Sequence, residues 1–193
     1  MSHSNQVLRF AVMLDSYTLK NWQIRTIQSL LKNPLNELVL LLKNDSSGTY
    51  NSSKQAIGFR FLERQLRQEW LFQSVDISQK FKPIKKLICK PQKKKGANYF
   101  VQEDLEQLKT HHLDFILRFG FGIIKGEVLE IPKYGVWSFH HGNPRKFRGG
   151  PPSFWEFLLG EKTNGIILQC LGHELDAGEI LREGNIAVWA HSF

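Results

Sequence analysis

Apolar and polar positions follow two rhythms along this chain. Val7 to Leu14 is an almost unbroken apolar run closed by Asp15 and Ser16, which predicts a buried strand. Leu19, Trp22, Ile24, Ile27, Leu30 and Leu31 then recur at roughly helical spacing, predicting a helix from Thr18 to Lys32 with one buried face. Pro34 and Asn36 end it, and Leu38 to Leu42 predicts a second buried strand. Strand, helix and buried strand in succession argue for parallel pairing through a right-handed crossover, hence an α/β fold. Asn44 to Ser53 reads as a polar loop. Ile57 to Phe72 is a predicted helix with Phe61, Leu62, Leu66, Trp70 and Leu71 facing inward. Further strands are expected at Lys86 to Lys90, Phe115 to Phe119, Val136 to Phe139, Ile166 to Gly172 and Ile186 to Ala190. Helices are expected at Val101 to His111 and Phe154 to Leu159, with a helical turn at Gly126 to Glu130. There are no internal repeats, and 193 residues suit one domain over 1–193. The apolar stretch Val188 to Phe193, without a polar tail, suggests either the N-terminal part of a longer protein or the loss of a final helix.

Composition narrows this picture in three ways. A hydrophobic fraction of 41% with 12% aromatic residues excludes a disordered chain. Lys and Arg number 26 against 18 Asp and Glu, a net +8 that favours anionic partners without choosing among nucleotides, nucleic acid and polyanionic cofactors. Cys89 and Cys170 are the two cysteines, and no group of Cys and His has the spacing of a metal site, so no metal is expected. With no apolar run near the ~18 residues of a membrane span and no leader-like start, the expectation is a soluble, cytoplasmic protein with reduced thiols. The clusters Lys82-Pro-Ile-Lys-Lys and Lys90-Pro-Gln-Lys-Lys-Lys read first as solvated surface, and second as contacts to tRNA or nucleotide phosphates.

The chemistry concentrates between Gly135 and Trp155. A strand runs into a loop holding His140, His141 and Arg148 among Gly142, Gly149 and Gly150. Parallel sheets place their sites at such strand ends, although two histidines beside glycines also describe an ordinary surface loop. Further on, Leu175-Asp176-Ala177-Gly178 puts a carboxylate before a glycine turn, which alone reads as an Asx-type turn.

Taken together, and colinear with Asp114 to Ile124, Val128 to Pro132, Trp155 to Gly160 and Gly165 to Leu168, these stretches resemble the folate-dependent formyltransferase family. The resemblance implies a Rossmann-like, mostly parallel sheet with helices on both faces. It also implies transfer of a formyl group from 10-formyltetrahydrofolate, as co-substrate, to the amine of an anionic acceptor. Such acceptors are a nucleotide-linked amino sugar, another small-molecule amine, or an aminoacyl-tRNA. By position, Ser138, His140 and Asp176 would be catalytic. Phe121, Gly122, Ile124, Leu175, Ala177 and Gly178 would contact the folate, while His141, Arg148 and Gly149 would face the acceptor. For Ile124 the plain alternative is core packing.

The residue types suit that reaction. Formyl transfer passes through a tetrahedral carbon bearing an oxyanion, which needs an aimed donor. It also needs a path for a proton between two nitrogens. A histidine held by a carboxylate can serve the first, with the carboxylate setting its tautomer. Two departures stand beside the match: Ser138 occupies the family's asparagine position, and Gly142 its serine position. A hydroxyl is shorter than a carboxamide and offers one donor. The first strand leads into Asp15-Ser-Tyr-Thr-Leu-Lys, which lacks the glycine loop of the glycinamide ribonucleotide members. A hydrolase releasing formate and a non-catalytic binding module are the alternatives on the same fold.

Overall fold

Alternation along the first strand, β1 (Leu8–Leu14), sends its side chains into two separate cores. Ala11 and Met13 join one cluster, and Phe10, Val12 and Leu14 join another. A strand buried on both faces needs a cover on each. In the computed structural model, which describes residues 6–45, 70–142, 146, 154–174 and 178–187, helices supply both covers. Helix α1 (Asn21–Leu30) packs Ile24 and Ile27 on the Val12 face, and α2 (Gln102–Lys109) packs Leu105 and Leu108 on the Met13 face.

Between them lies a seven-stranded sheet. From one edge its strands are β12 (Glu179–Ala187), β11 (Thr163–Cys170), β10 (Val136–His141), β8 (Phe115–Arg118), β1, β3 (Asn36–Asn44) and β5 (Lys85–Cys89). Pairing is parallel from β10 through to β5 and antiparallel for β10 with β11 and β11 with β12. This is the expected mostly parallel, Rossmann-like architecture with helices on both faces.

Several elements differ from the sequence expectation for identifiable reasons. The first helix starts at Asn21 rather than Thr18, because β2 (Thr18–Lys20) pairs antiparallel with β4 (Ser74–Asp76). The Gln23 side chain then accepts from the Lys20 amide at 2.8 Å, closing the helix start. At the other end the Asn36 carboxamide donates to the Leu30 carbonyl at 2.9 Å, satisfying a carbonyl left over by the last turn. The helix expected at Ile57 to Phe72 lies outside the described residues apart from Trp70–Phe72, which form a 3₁₀ turn. The basic stretch after Lys90 folds as a hairpin of β6 (Gln92–Lys94) and β7 (Ala97–Tyr99). Its turn is made by Lys95 and Gly96, both at positive φ as a tight hairpin demands. β7 continues into a parallel pair with β9 (Ile124–Lys125). The last strand begins at Glu179, well before Ile186, and its residues are mostly exposed, so no apolar pattern announces it.

Both cysteines lie on strands. Cys89 is fully buried, and burial, with the nearby Asp104 charge, pushes its thiol up to about 12. Cys170 is only half-buried. Among the described residues no helix is long and apolar enough to cross a membrane.

Candidate functional site

The C-terminal ends of β1, β8 and β10 meet at one edge of the sheet, the usual place for a site in this architecture. Alternation sorts what they present there. On β10, Ser138 and His140 share the face of Val136, whereas His141 shares the face of Trp137 and Phe139. The two neighbouring histidines therefore open onto different hollows. His140 lines a cleft of about 190 Å³ with Arg118, Gly122, Ile124, Ser138, Gln169 and Gly178. His141 lines a second hollow with Asp15, Trp22 and Gln23, and Arg118, Gly122, Ser138 and Phe139 border both.

The second hollow has an aromatic floor. Trp22 stands edge-on to Phe119 at 5.4 Å and to Phe139 at 5.9 Å between ring centroids. The His141 pKa is held below its ordinary value, first by desolvation and then by the adjacent His140 charge, although the residue as a whole is exposed. Its imidazole is therefore biased towards the neutral form.

A row of polar side chains crosses the first cleft. Arg118 on β8 is in register with Ser138 on β10, and Ser138 with Gln169 on β11. Beyond Arg118 the row turns apolar, with Met13 as its partner on β1. Ser138 is 3% exposed and Gln169 7%, so these groups are built into the sheet rather than laid on it. Arg118 Nη1 donates to Ser138 Oγ at 2.7 Å, and its Nη2 donates to the Gly122 carbonyl. Ser138 Oγ in turn donates to the Phe139 carbonyl at 3.3 Å. Burial works against the Arg118 charge while Asp15 favours it. A guanidinium stays protonated through such shifts.

The loop between Phe119 and Ile124 is fixed from two sides. Asp15 Oδ1 accepts from the Phe121 amide at 2.7 Å and from the Asn44 carboxamide at 3.1 Å. The Asn98 side chain on β7 donates to the Phe121 carbonyl at 2.6 Å. The lysine-rich hairpin thus braces the cleft wall. Gly142, at the end of β10, has φ +109, and a Cβ there would lie 3.2 Å from a carboxylate oxygen of buried Glu156. A serine would be strained at this position.

Of the residues singled out in the sequence, Ser138, His140, Gly122, Ile124 and Gly178 converge on one cleft. Phe121 does not join them. Its side chain is fully buried and stacked on Phe100 with centroids 5.2 Å apart, leaving only its backbone near the wall. Ile124 lines the cleft although only 5% of it is exposed, so packing claims most of its surface. Asp176, Leu175, Ala177, Arg148 and Gly149 lie outside the described residues. Arg118 and Gln169 line the same cleft without any sequence expectation for them. A lone cation in the apolar run Phe115 to Phe119 was the available signal for Arg118.

The free volume is small beside the ~300–1,000 Å³ of pockets that hold whole ligands. Ile123, Ile124 and Leu171 give it apolar walls beside polar Gln169 and Lys125.

The family described as formyl transferase matches residues 36–192. The methionyl-tRNA formyltransferase of Thermodesulfovibrio yellowstonii is 32% identical over 102 residues, 52% of this chain and 32% of that protein. That of Clostridium perfringens is 38% identical over 87 residues, 45% of this chain and 28% of that protein. The matched stretch thus spans about a third of these relatives. Glycinamide ribonucleotide transformylase 1 from Symbiobacterium toebii superposes with a TM-score of 0.60 at 12% identity, over 97% of this chain and 76% of that one. A formyltetrahydrofolate deformylase from Burkholderia mallei gives 0.59 at 12% identity, over 97% and 57%. At such identities the two structures speak for the fold alone.

Proposed function

Because the chain belongs to the formyl transferase family, we propose that it moves a formyl group from 10-formyltetrahydrofolate to the amine of an anionic acceptor, either nucleotide-linked or an aminoacyl-tRNA. The observation that carries this reading is the placing of His140 in the same cleft as Gly122, Ile124 and Gly178, the stretches the resemblance assigns to the folate.

In this reading the folate supplies an activated formyl group. The amine nitrogen bonds to the formyl carbon as the carbonyl pair moves onto oxygen. The bond from that carbon to the folate nitrogen then breaks, the carbonyl re-forms, and one proton passes from the attacking to the leaving nitrogen. Atoms balance as amine plus formylfolate giving formamide plus tetrahydrofolate. His140 would donate to the oxygen while it carries negative charge, and Asp176 would fix the tautomer of His140 and receive the proton in transit. The apolar walls would keep water from competing with the amine. The net +8 suits an anionic acceptor.

The test uses 10-formyltetrahydrofolate carrying a labelled formyl group, offered with methionyl-tRNA and with nucleotide-linked amino sugars. Label in an N-formyl product is expected, and His140→Ala should lower its rate by ~10²–10³. Label released as formate at the same rate without any amine would replace transfer by hydrolysis. Label left on the folate under all conditions would overturn both.

A further inference from the structure

An arginine at the end of a buried strand needs an explanation that packing does not give. Arg118 follows Phe115, Ile116 and Leu117, all buried, and points to the face of Ile116 and Ser138. Its Nε is buried with no hydrogen-bond partner among the described residues. Among the described residues, two of the five N–H groups that a guanidinium offers are committed, one to Ser138 and one to Gly122. An apolar side chain would avoid the desolvation of that charge altogether.

Ser138 sharpens the point. Its hydroxyl accepts from Arg118 and donates to the Phe139 carbonyl, so its one proton is already used. In this arrangement it has nothing to offer an oxyanion. What it does, together with the Gly122 carbonyl, is hold the guanidinium where the cleft lined by His140 adjoins the hollow lined by His141, since Arg118, Gly122 and Ser138 border both.

We propose that Arg118, clamped by Ser138 and Gly122, is a catalytic donor that binds the formyl oxygen as it becomes an oxyanion, beside His140. This rests on the transfer reading and adds to it a residue that acts through a full positive charge. The guanidinium makes no bond to carbon and gives up no proton. The carbonyl pair moves to oxygen and back while Arg118 neutralises it. Uncommitted N–H groups on the two terminal nitrogens are the donors, and the anchors hold them in place before the reaction begins. Ser138 is then a positioning residue.

The experiment reads the formyl carbonyl itself, in the full-length chain. The probe is 10-formyl-5,8-dideazafolate with carbon-13 in the formyl group, a donor analogue resistant to oxidation. Isotope-edited infrared difference spectra give its carbonyl stretch when bound. In the unaltered protein the stretch is expected below its value in water, and in Arg118→Met it should return towards that value. Where turnover is measurable, Arg118→Met should lose ~10²–10³ in kcat with little change in KM for the folate. A bound stretch at or above the aqueous value in the unaltered protein overturns the proposal whether or not the variant folds. So does a stretch that Arg118→Met leaves unmoved. No binding of the probe at all would instead remove the transfer reading on which the proposal stands.

Discussion

At Gly120 a methyl group would come within 2.6 Å of the Asp15 amide nitrogen and 2.9 Å of the Asp15 carboxyl carbon. Real side chains do not approach backbone so closely, so Gly120→Ala must push the loop off the end of β1. The clip it would open is the bond from the Phe121 amide to Asp15, which fixes the wall of the cleft. Overpacking of this kind costs ~1–3 kcal/mol, and the variant should melt correspondingly lower. An unchanged melting temperature would mean that the loop yields without strain. Residue identity was legible in the sequence where several positions acted together. His140 stood out because a glycine-rich loop follows it and an aspartate motif comes later. Arg118 did not, because one charge in an apolar strand carries no periodic signal. The sequence neighbours of Phe121 point it to the cleft, whereas at φ +69 its backbone turns and the ring enters the core against Phe100.

Among the elements, α2 shows how burial sets a pH dependence. Asp104 in its first turn is 6% exposed. A carboxylate there is favoured by the helix dipole and by the Lys90 amide that donates to it, yet burial prevails and, with Glu103, raises its pKa. A carboxyl whose pKa is higher in the folded than in the unfolded chain holds its proton longer when folded. Its contribution is therefore present at low pH and is lost as pH rises through the folded value. Asp104→Asn keeps an acceptor for Lys90 and removes the charge. Its melting temperature should match the parent below the ordinary carboxylate range and exceed it increasingly towards neutral pH. A constant difference across that range would contradict this assignment. The elements themselves were readable wherever burial imposed a rhythm, as in β1, α1, β3, α2, β8 and β10. The hairpin of β6 and β7 escaped because its lysines face solvent and only Ala97 is buried. β12 escaped because it is an exposed strand at the end of the sheet, paired among the described residues only with β11.

For the whole molecule, the sheet decides what can meet. Parallel strands bring Asp15, Arg118 and His140 to one edge from distant parts of the chain. Two adjoining hollows open at that edge, a polar-floored cleft lined by His140 and an aromatic one lined by His141, with Arg118, Gly122, Ser138 and Phe139 common to both. The lysines of β5 have a simpler part in the fold. That strand is the outer edge of the sheet, and Lys85 and Lys86 guard it against pairing with another chain. By the transfer reading, the cleft beside His140 accepts a reduced folate. Thermal unfolding in the presence of 5-formyltetrahydrofolate measures this most directly, since binding to the folded state alone raises stability. At about 100 times the dissociation constant the gain is roughly 2.7 kcal/mol, and the melting temperature should climb steadily with ligand. A melting temperature that stays flat up to saturating folate would contradict the account at its root.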